Sequence, residues 1–290
     1  MNVIEVVIPG PLTTVQDLGR PGLAAVGVGA SGAADRGSLR LANRLVGNAE
    51  EAAALELTYG GLCVRFDVDA TFALTGAPCR VAVDGRAVGM DGPVSVHAGE
   101  QVAVGAPSEG LRTYFAVRGG INVQAVLGSR STDMLSGIGP SVLTAGMLLP
   151  IGRHVDGFPN VDHAPRRYDV TPAQTPAELR ILSGPRDDWF LPEALETLVT
   201  STYVVTNDSN RVGARLDGPE LKRRVQEELP SEGVVHGALQ VPPDGRPTLF
   251  LADHPVTGGY PVIAVVIAED LDRAGQLRAG EQVRFRMLIP

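Results

Sequence analysis

The sequence predicts a mainly β protein made of two tandem barrels with a few short helices, and three observations predict it. In "CVRFDVDATFALTG" (63–76), Val64, Phe66, Val68, Ala70, Phe72 and Leu74 share one parity, while Arg65, Asp67, Asp69 and Thr71 take the other. That is the period of strand buried on one face, as one strand or two joined strands. Turn signals recur about every eight to twelve residues, the rhythm of a sandwich or barrel. "AGEQV" occurs at 98–102 and again at 279–283, with a looser "AGMLL" at 145–149, as two copies of one barrel would give.

Taken along the chain, "RVAVDGRAVGM" reads as a hairpin, because Asp84-Gly85 supplies the positive-φ residues that a tight turn prefers. "PVSVHAGEQVAVG" reads as two short strands around Ala98-Gly99. Residues 33–46 form the clearest helix: Leu39, Ala42, Leu45 and Val46 make one stripe, Ser31 or Asp35 can cap its start, and Gly47 ends it. Periodicity lapses in the proline-rich stretch ahead of residue 179. We therefore expect a first domain over 1–155, a linker over 156–178 and a second domain over 179–290. In the second half, "LRILSG", "TYVVTND", "RVGARLDG", "PTLFLADH", "PVIAVVIA" and "EQVRFRML" read as strands. "WFLPEALETLVTS" and "AEDLDRAGQL" read as short helices.

Composition narrows the function. The chain has 290 residues, a net charge of −8 and 4% aromatic residues, which disfavours a nucleic-acid groove or an anionic membrane surface as partner. Cys63 and Cys79 are too few and too far apart for a disulfide scaffold or a structural zinc site. The start "MNVIEVVIPGPL" lacks a basic n-region, and no apolar run reaches the roughly 20 residues of a membrane span, so a cytoplasmic address is expected. Lys222 is the sole lysine and sits in the charged run "LKRRVQEE". There is no Gly-Lys for a Walker loop and no Met-Lys-Met for covalent biotin. No metal cluster and no Ser-His-Asp order emerges.

"GVGASGAADRGSLRLANRLVG" (27–47) carries Gly27, Gly29 and Gly32 in G-x-G-x-x-G spacing ahead of the helix. A dinucleotide fold needs a strand before these glycines and a parallel crossover after them. Here the helix leads into an alternating meander, so the glycines instead let a tight loop approach a helix start. Such a place can still receive an anion.

"GPLTTVQDLGRPG" (10–22), "SGAADRGSLRLANRLVGN" with "AALELTYGG", "GGINVQAVLGSRSTD" (119–133), "RVGARLDG", "GALQVPPDGRPTLFLAD" (237–253) and "TGGYPVIAVV" (257–266) resemble, in order, the allophanate hydrolase subunit 2 family. This family is also known as KipA-like and includes the C-type subunits of 5-oxoprolinase. The resemblance implies two cyclophilin-like β-barrel domains. It implies a subunit of an ATP-dependent 5-oxoprolinase complex that opens 5-oxo-L-proline to L-glutamate: a hydrolase acting on a cyclic amide, active with partner subunits. The partners would be a KipI-like subunit 1 and a third subunit. ATP would be used by the complex, and no biotin would be attached to this chain. The alternatives are a carboxyltransferase component of a biotin-dependent carboxylase of the urea or allophanate type, and a non-catalytic module that binds a KipI-like partner.

Five stretches could line a site. "TTVQDLGR" offers Gln16, Asp17 and Arg20, with local Asp17–Arg20 pairing as the bland reading. "SGAADR" offers Ser31, Asp35 and Arg36 around a helix start, with simple capping by Ser31 or Asp35 as the other reading. "GSRSTD" crowds Ser129, Arg130, Ser131, Thr132 and Asp133, where an arginine flanked by hydroxyls can clamp a carboxylate. "LQVPPDG" could present Gln240 and Asp244, or be only a turn. "DHPVTGGYP" places Asp253, Thr257 and Tyr260 around the backbone N–H groups of Gly258 and Gly259. In the catalytic reading Arg130 and Arg211 clamp a carboxylate or phosphate, Asp244 or Asp253 orients water, and the two glycines stabilise developing charge. Asn210 and His236 depart from the family wording, which has aspartate and proline there.

Overall fold

In the computed structural model, which describes residues 2–159 and 175–288, the chain folds as two compact units. The first contains residues 2–20, 31–133 and 137–159; the second contains residues 21–30, 134–136 and 175–288. The units therefore do not follow sequence order: residues 21–30 and 134–136, both within the expected first domain, group with the second unit. Most of the expected linker lies outside the described residues.

The first unit consists of two antiparallel sheets. One runs in the order Leu148–Pro150, Val3–Pro9, Leu62–Phe66, Gln101–Val104, Val81–Val83 and Arg86–Val88; the other runs Leu12–Gln16, Ala54–Thr58, Arg112–Val117, Ala70–Gly76 and Val94–Val96. The alternating run at 63–76 is thus two strands, one in each sheet, and its apolar parity faces a shared core. Phe66, Phe72 and Phe115 meet there, the last two stacked at 5.1 Å between centroids. Asp84 and Gly85 take φ of 43° and 79°, the left-handed pair that the hairpin requires.

The helix Arg36–Leu45 lays Leu39, Ala42 and Leu45 against Ala73, Tyr114 and Ala116. Of the two candidate caps, Asp35 holds the position: its carboxylate accepts from Ser38 N–H at 2.8 Å and from Ser38 Oγ–H at 2.6 Å.

The second unit closes into a seven-stranded barrel, in the order Ala177–Ser183, Val262–Val266, Ala238–Gln240, Thr248–Phe250, Gly213–Asp217, Thr202–Val205 and Gln282–Met287. A ribbon of Glu232–Gly233 with Thr257–Gly258 stands beside it. The helices expected here are Pro192–Thr200, with proline at its first position, and a 3-10 turn Ala268–Asp270 running into Leu271–Ala274. Both copies of "AGEQV" use a glycine in left-handed backbone, Gly99 at 91° and Gly280 at 88°, to enter a strand. No helix among the described residues is long and apolar enough to cross a membrane.

Candidate functional site

In the first unit, "TTVQDLGR" and "GSRSTD" come together although more than 110 residues separate them. The bond that joins them is not the local Asp17–Arg20 pair. Oδ1 of Asp17 accepts from Ser129 Oγ–H and Ser131 Oγ–H, both at 2.6 Å, and from Gly19 N–H at 2.8 Å. Its Oδ2 accepts from Arg130 N–H at 2.6 Å. A carboxylate with four donors is a satisfied buried anchor. The expected clamp residue Arg130 directs its guanidinium elsewhere, donating to Val123 O at 2.8 Å and Asn122 Oδ1 at 3.0 Å.

Next to this anchor, Gln16 donates through Nε2 to Thr132 O at 2.9 Å, and Ser31 Oγ–H reaches the same carbonyl at 3.2 Å. Ser31 adopts φ of 51°, a conformation uncommon for a residue with a side chain. Arg20, only 2% exposed, donates from Nη2 to Ser131 O. Asp133 is buried, and its backbone closes a turn with Gly137 and Ile138. Around the helix start lies a second polar group. Glu56, in the strand Ala54–Thr58, accepts from Tyr114 Oη–H at 2.8 Å and Ala34 N–H at 2.9 Å and lies 3.4 Å from Arg112. Burial, and then the Glu56 charge, push the Tyr114 hydroxyl well above its ordinary range, so it stays a donor. Sequence reasoning passed over Glu56, whose signal was a lone carboxylate inside the apolar run "AALELTYGG".

The second unit pairs two expected site residues with each other. Arg211 and Asp253 form a two-pronged ion pair, Nε to Oδ2 at 2.8 Å and Nη2 to Oδ1 at 3.0 Å, and both side chains are buried. Asp253 also accepts from Met134 N–H at 3.0 Å. Pairing directs Arg211 toward Asp253 and Asp253 toward Arg211 and the 134–136 segment, which leaves little of either for a substrate or a water.

Gln240, Thr257, Gly258, Gly259 and Tyr260 do gather. Gln240 donates to Tyr260 O at 3.1 Å, and a Cβ on Gly258 would stand 2.4 Å from Gln240 Nε2, so a side chain there would displace that amide. Arg223 lies 5.7 Å over the Tyr260 ring and donates to Val241 O; burial lowers its affinity for a proton. Arg223 was hidden in the charged run around Lys222, which in sequence has the look of a solvated face. Asp244, expected to orient water, is exposed and accepts from Arg246 N–H at 3.1 Å as the cap of its own turn. Asn210 likewise caps a turn, accepting from Val212 N–H at 2.8 Å, a bond that either aspartate or asparagine can make. His236 stacks on His254 at 6.2 Å.

A cleft of about 380 Å³ in the first unit is lined by Asp69, His97, Arg118 and neighbouring residues; none of the expected site residues lines it. Among the described residues no group of three or more His, Cys, Asp or Glu could hold a metal ion.

Comparison with known proteins gives this arrangement its relatives. The C-type subunit of 5-oxoprolinase from Escherichia coli is 38% identical over 98% of this chain and 90% of its own length. A urea amidolyase of Lachancea kluyveri is 33% identical over 97% of this chain, which spans only 17% of that protein. The crystal structure of the K. lactis urea amidolyase superposes with a TM-score of 0.91 at 30% identity, covering 99% of this chain and 19% of that one. The family described as "Carboxyltransferase domain, subdomain A and B" matches residues 26–287, and the chain belongs to that family.

Proposed function

We propose that the chain is the C-type subunit of a cytoplasmic 5-oxoprolinase that opens 5-oxo-L-proline to L-glutamate with hydrolysis of ATP, working with a KipI-like subunit 1 and a third subunit. One observation carries this reading: the similarity to the Escherichia coli 5-oxoprolinase subunit runs end to end, over 98% of this chain and 90% of that protein. Ring opening breaks the lactam C–N bond and adds water to the carbonyl carbon, giving a new carboxylate and a free amine. A lactam is a poor electrophile, and ATP supplies the activation of its oxygen that lets water attack. The protein's part is to hold the acid, to orient the lactam and to place donors where charge develops. The second unit offers such donors around Gly259 and Tyr260, with Arg223 beside them. Asp244 is an exposed carboxylate whose charge acts on Arg223.

Carboxyl transfer is the second reading, favoured by the family description and by the TM-score of 0.91 to a urea amidolyase. In that reading biotin would arrive on another chain, since Lys222 is the sole lysine here and lacks flanking methionines. The two are separated by measuring glutamate and phosphate release from 5-oxo-L-proline and ATP, using the protein alone, with subunit 1, and with all three subunits. Release by the full set supports the oxoprolinase. A correctly assembled set that turns over no 5-oxoproline, yet accepts carboxyl groups from carboxybiotin, would sink it.

A further inference from the structure

We propose that Arg20, Gln16 and Thr132 form a binding subsite for a small carboxylic acid that carries an N–H donor beside its carboxylate. The inference rests on the oxoprolinase reading for the name of the natural ligand, and on the first unit alone for its chemistry.

The argument begins with what Arg20 lacks. Its guanidinium has five donors, and only Nη2 is engaged, on Ser131 O. Nε and Nη1 are buried and find no acceptor among the described residues. A buried guanidinium ordinarily faces a carboxylate, because desolvating the charge without a partner is costly. The carboxylate three residues earlier, Asp17, is committed to four other donors. No described carboxylate therefore supplies the counter-charge of Arg20, and we assign it to a bound ligand.

Two more side chains at the same place share the condition. Gln16 is fully buried and Thr132 is 4% exposed, and Gln16 Oε1 and Thr132 Oγ1 have no partner among the described residues. The orientation of the Gln16 amide is fixed: a carbonyl only accepts, so the atom facing Thr132 O is the nitrogen. Gln16 Oε1 is thus an acceptor in need of a donor. Gln16 and Arg20 donate to the consecutive carbonyls of Thr132 and Ser131. Gly139 forms the adjoining wall in left-handed backbone at 94°; a Cβ there would stand 2.1 Å from Ser131 O and 3.2 Å from Arg20 Nη2.

The polarity of the set selects the ligand. Two arginine donors suit a carboxylate or a phosphate equally. The Gln16 acceptor discriminates, because it repels a phosphate oxygen and welcomes an N–H. A lactam acid such as 5-oxo-L-proline has both groups on one carbon. Thr132, with a hydroxyl that can donate or accept, matches either neighbour.

The test titrates the assembled three-subunit protein, without ATP, with 5-oxo-L-proline, with 2-pyrrolidone (no carboxylate), with N-methyl-5-oxoproline (no N–H) and with inorganic phosphate. We expect 5-oxo-L-proline to bind at least about tenfold more tightly than any of the other three. Arg20→Gln should reduce its affinity by about tenfold or more with the assembly intact, and Thr132→Val, whose hydroxyl bonds none of the described residues, by a few fold. Undiminished affinity in a folded Arg20→Gln or Thr132→Val protein, or equal binding of 2-pyrrolidone, would overturn the subsite. Should Arg20→Gln fail to fold, Thr132→Val and the ligand series decide. Glutamate release judges the other proposal separately. Turnover with an unchanged KM in Arg20→Gln removes the subsite and leaves the oxoprolinase standing. Arg20-dependent binding of the acid without turnover does the reverse.

Discussion

Arg20 and Arg211 are each 2% exposed, and they differ in what they face. Arg211 places two nitrogens on Asp253 in a two-pronged pair, so its charge is neutralised within its own unit. Arg20 has one nitrogen on a backbone carbonyl and no carboxylate among the described residues. In the sequence Arg20 stands three residues from Asp17, while Arg211 reads as a clamp for a substrate. The difference teaches that a buried arginine is informative by the state of its partners, and that burial or neighbouring residue type alone separates nothing. Where the partner is internal, the arginine holds the fold together. Where it is missing, the arginine is held ready for a ligand.

The comparison can be broken most forcefully at Asp253. Asp253→Ala would leave the buried Arg211 without the Asp253 carboxylate, and should destabilise the protein by about 3–5 kcal/mol, read as a lowered midpoint in denaturant. An unchanged midpoint would mean that Arg211 needs no internal partner, and the contrast would fail. The next largest effect should come from Gly139→Ala, where the new Cβ meets Ser131 O and the backbone is left-handed. A loss of about 1–3 kcal/mol in stability, with weakened acid binding, is expected by the same unfolding and titration measurements. Arg20→Gln sharpens the contrast from the other side. It removes a charge that no carboxylate among the described residues balances, so its stability change should stay under about 1 kcal/mol, far smaller than that of Asp253→Ala. Asp244→Asn should be smaller still, within about 0.5 kcal/mol, because an amide oxygen can cap the same turn. Its effect on kcat in the full assembly is the direct check on whether that carboxylate orients water.

A last prediction concerns acid. Asp270 accepts two-pronged bonds from Arg180, and although burial works against its charge, these bonds outweigh it and hold the carboxyl below its usual 3.8. A depressed folded-state value stabilises at pH above the unfolded value and is lost as pH falls through the lower one. The pair's contribution should therefore be complete above about pH 5 and fade below about pH 4. Asp270→Asn, followed by thermal unfolding across that range, should flatten this part of the acid limb.

Much of the fold was legible because it follows from local rules. Alternation in 63–76 gave buried faces, Asp84-Gly85 gave a hairpin, and Asp35 with Ser38 gave a helix start. These depend on residues within a few positions of each other. The grouping of residues 21–30 and 134–136 with the second unit was not legible, since nothing in their composition says which core their neighbours belong to.

Of the candidate site, the sequence by itself determined the inventory: few lysines, many arginines, and polar residues crowded into "TTVQDLGR", "GSRSTD" and "DHPVTGGYP". It could not determine the pairing. Asp17 stands three residues from Arg20, close enough to suggest a local pair, yet serine hydroxyls from more than 110 residues away reach it first. Arg211 and Asp253 lie 42 residues apart, and each read as free for a substrate until the barrel brought them within 2.8 Å. The physical reason is range. Backbone preference and hydrophobic period act over a few residues and are written locally. Which donor satisfies which acceptor inside a desolvated core is settled by whatever the whole chain brings within hydrogen-bond distance.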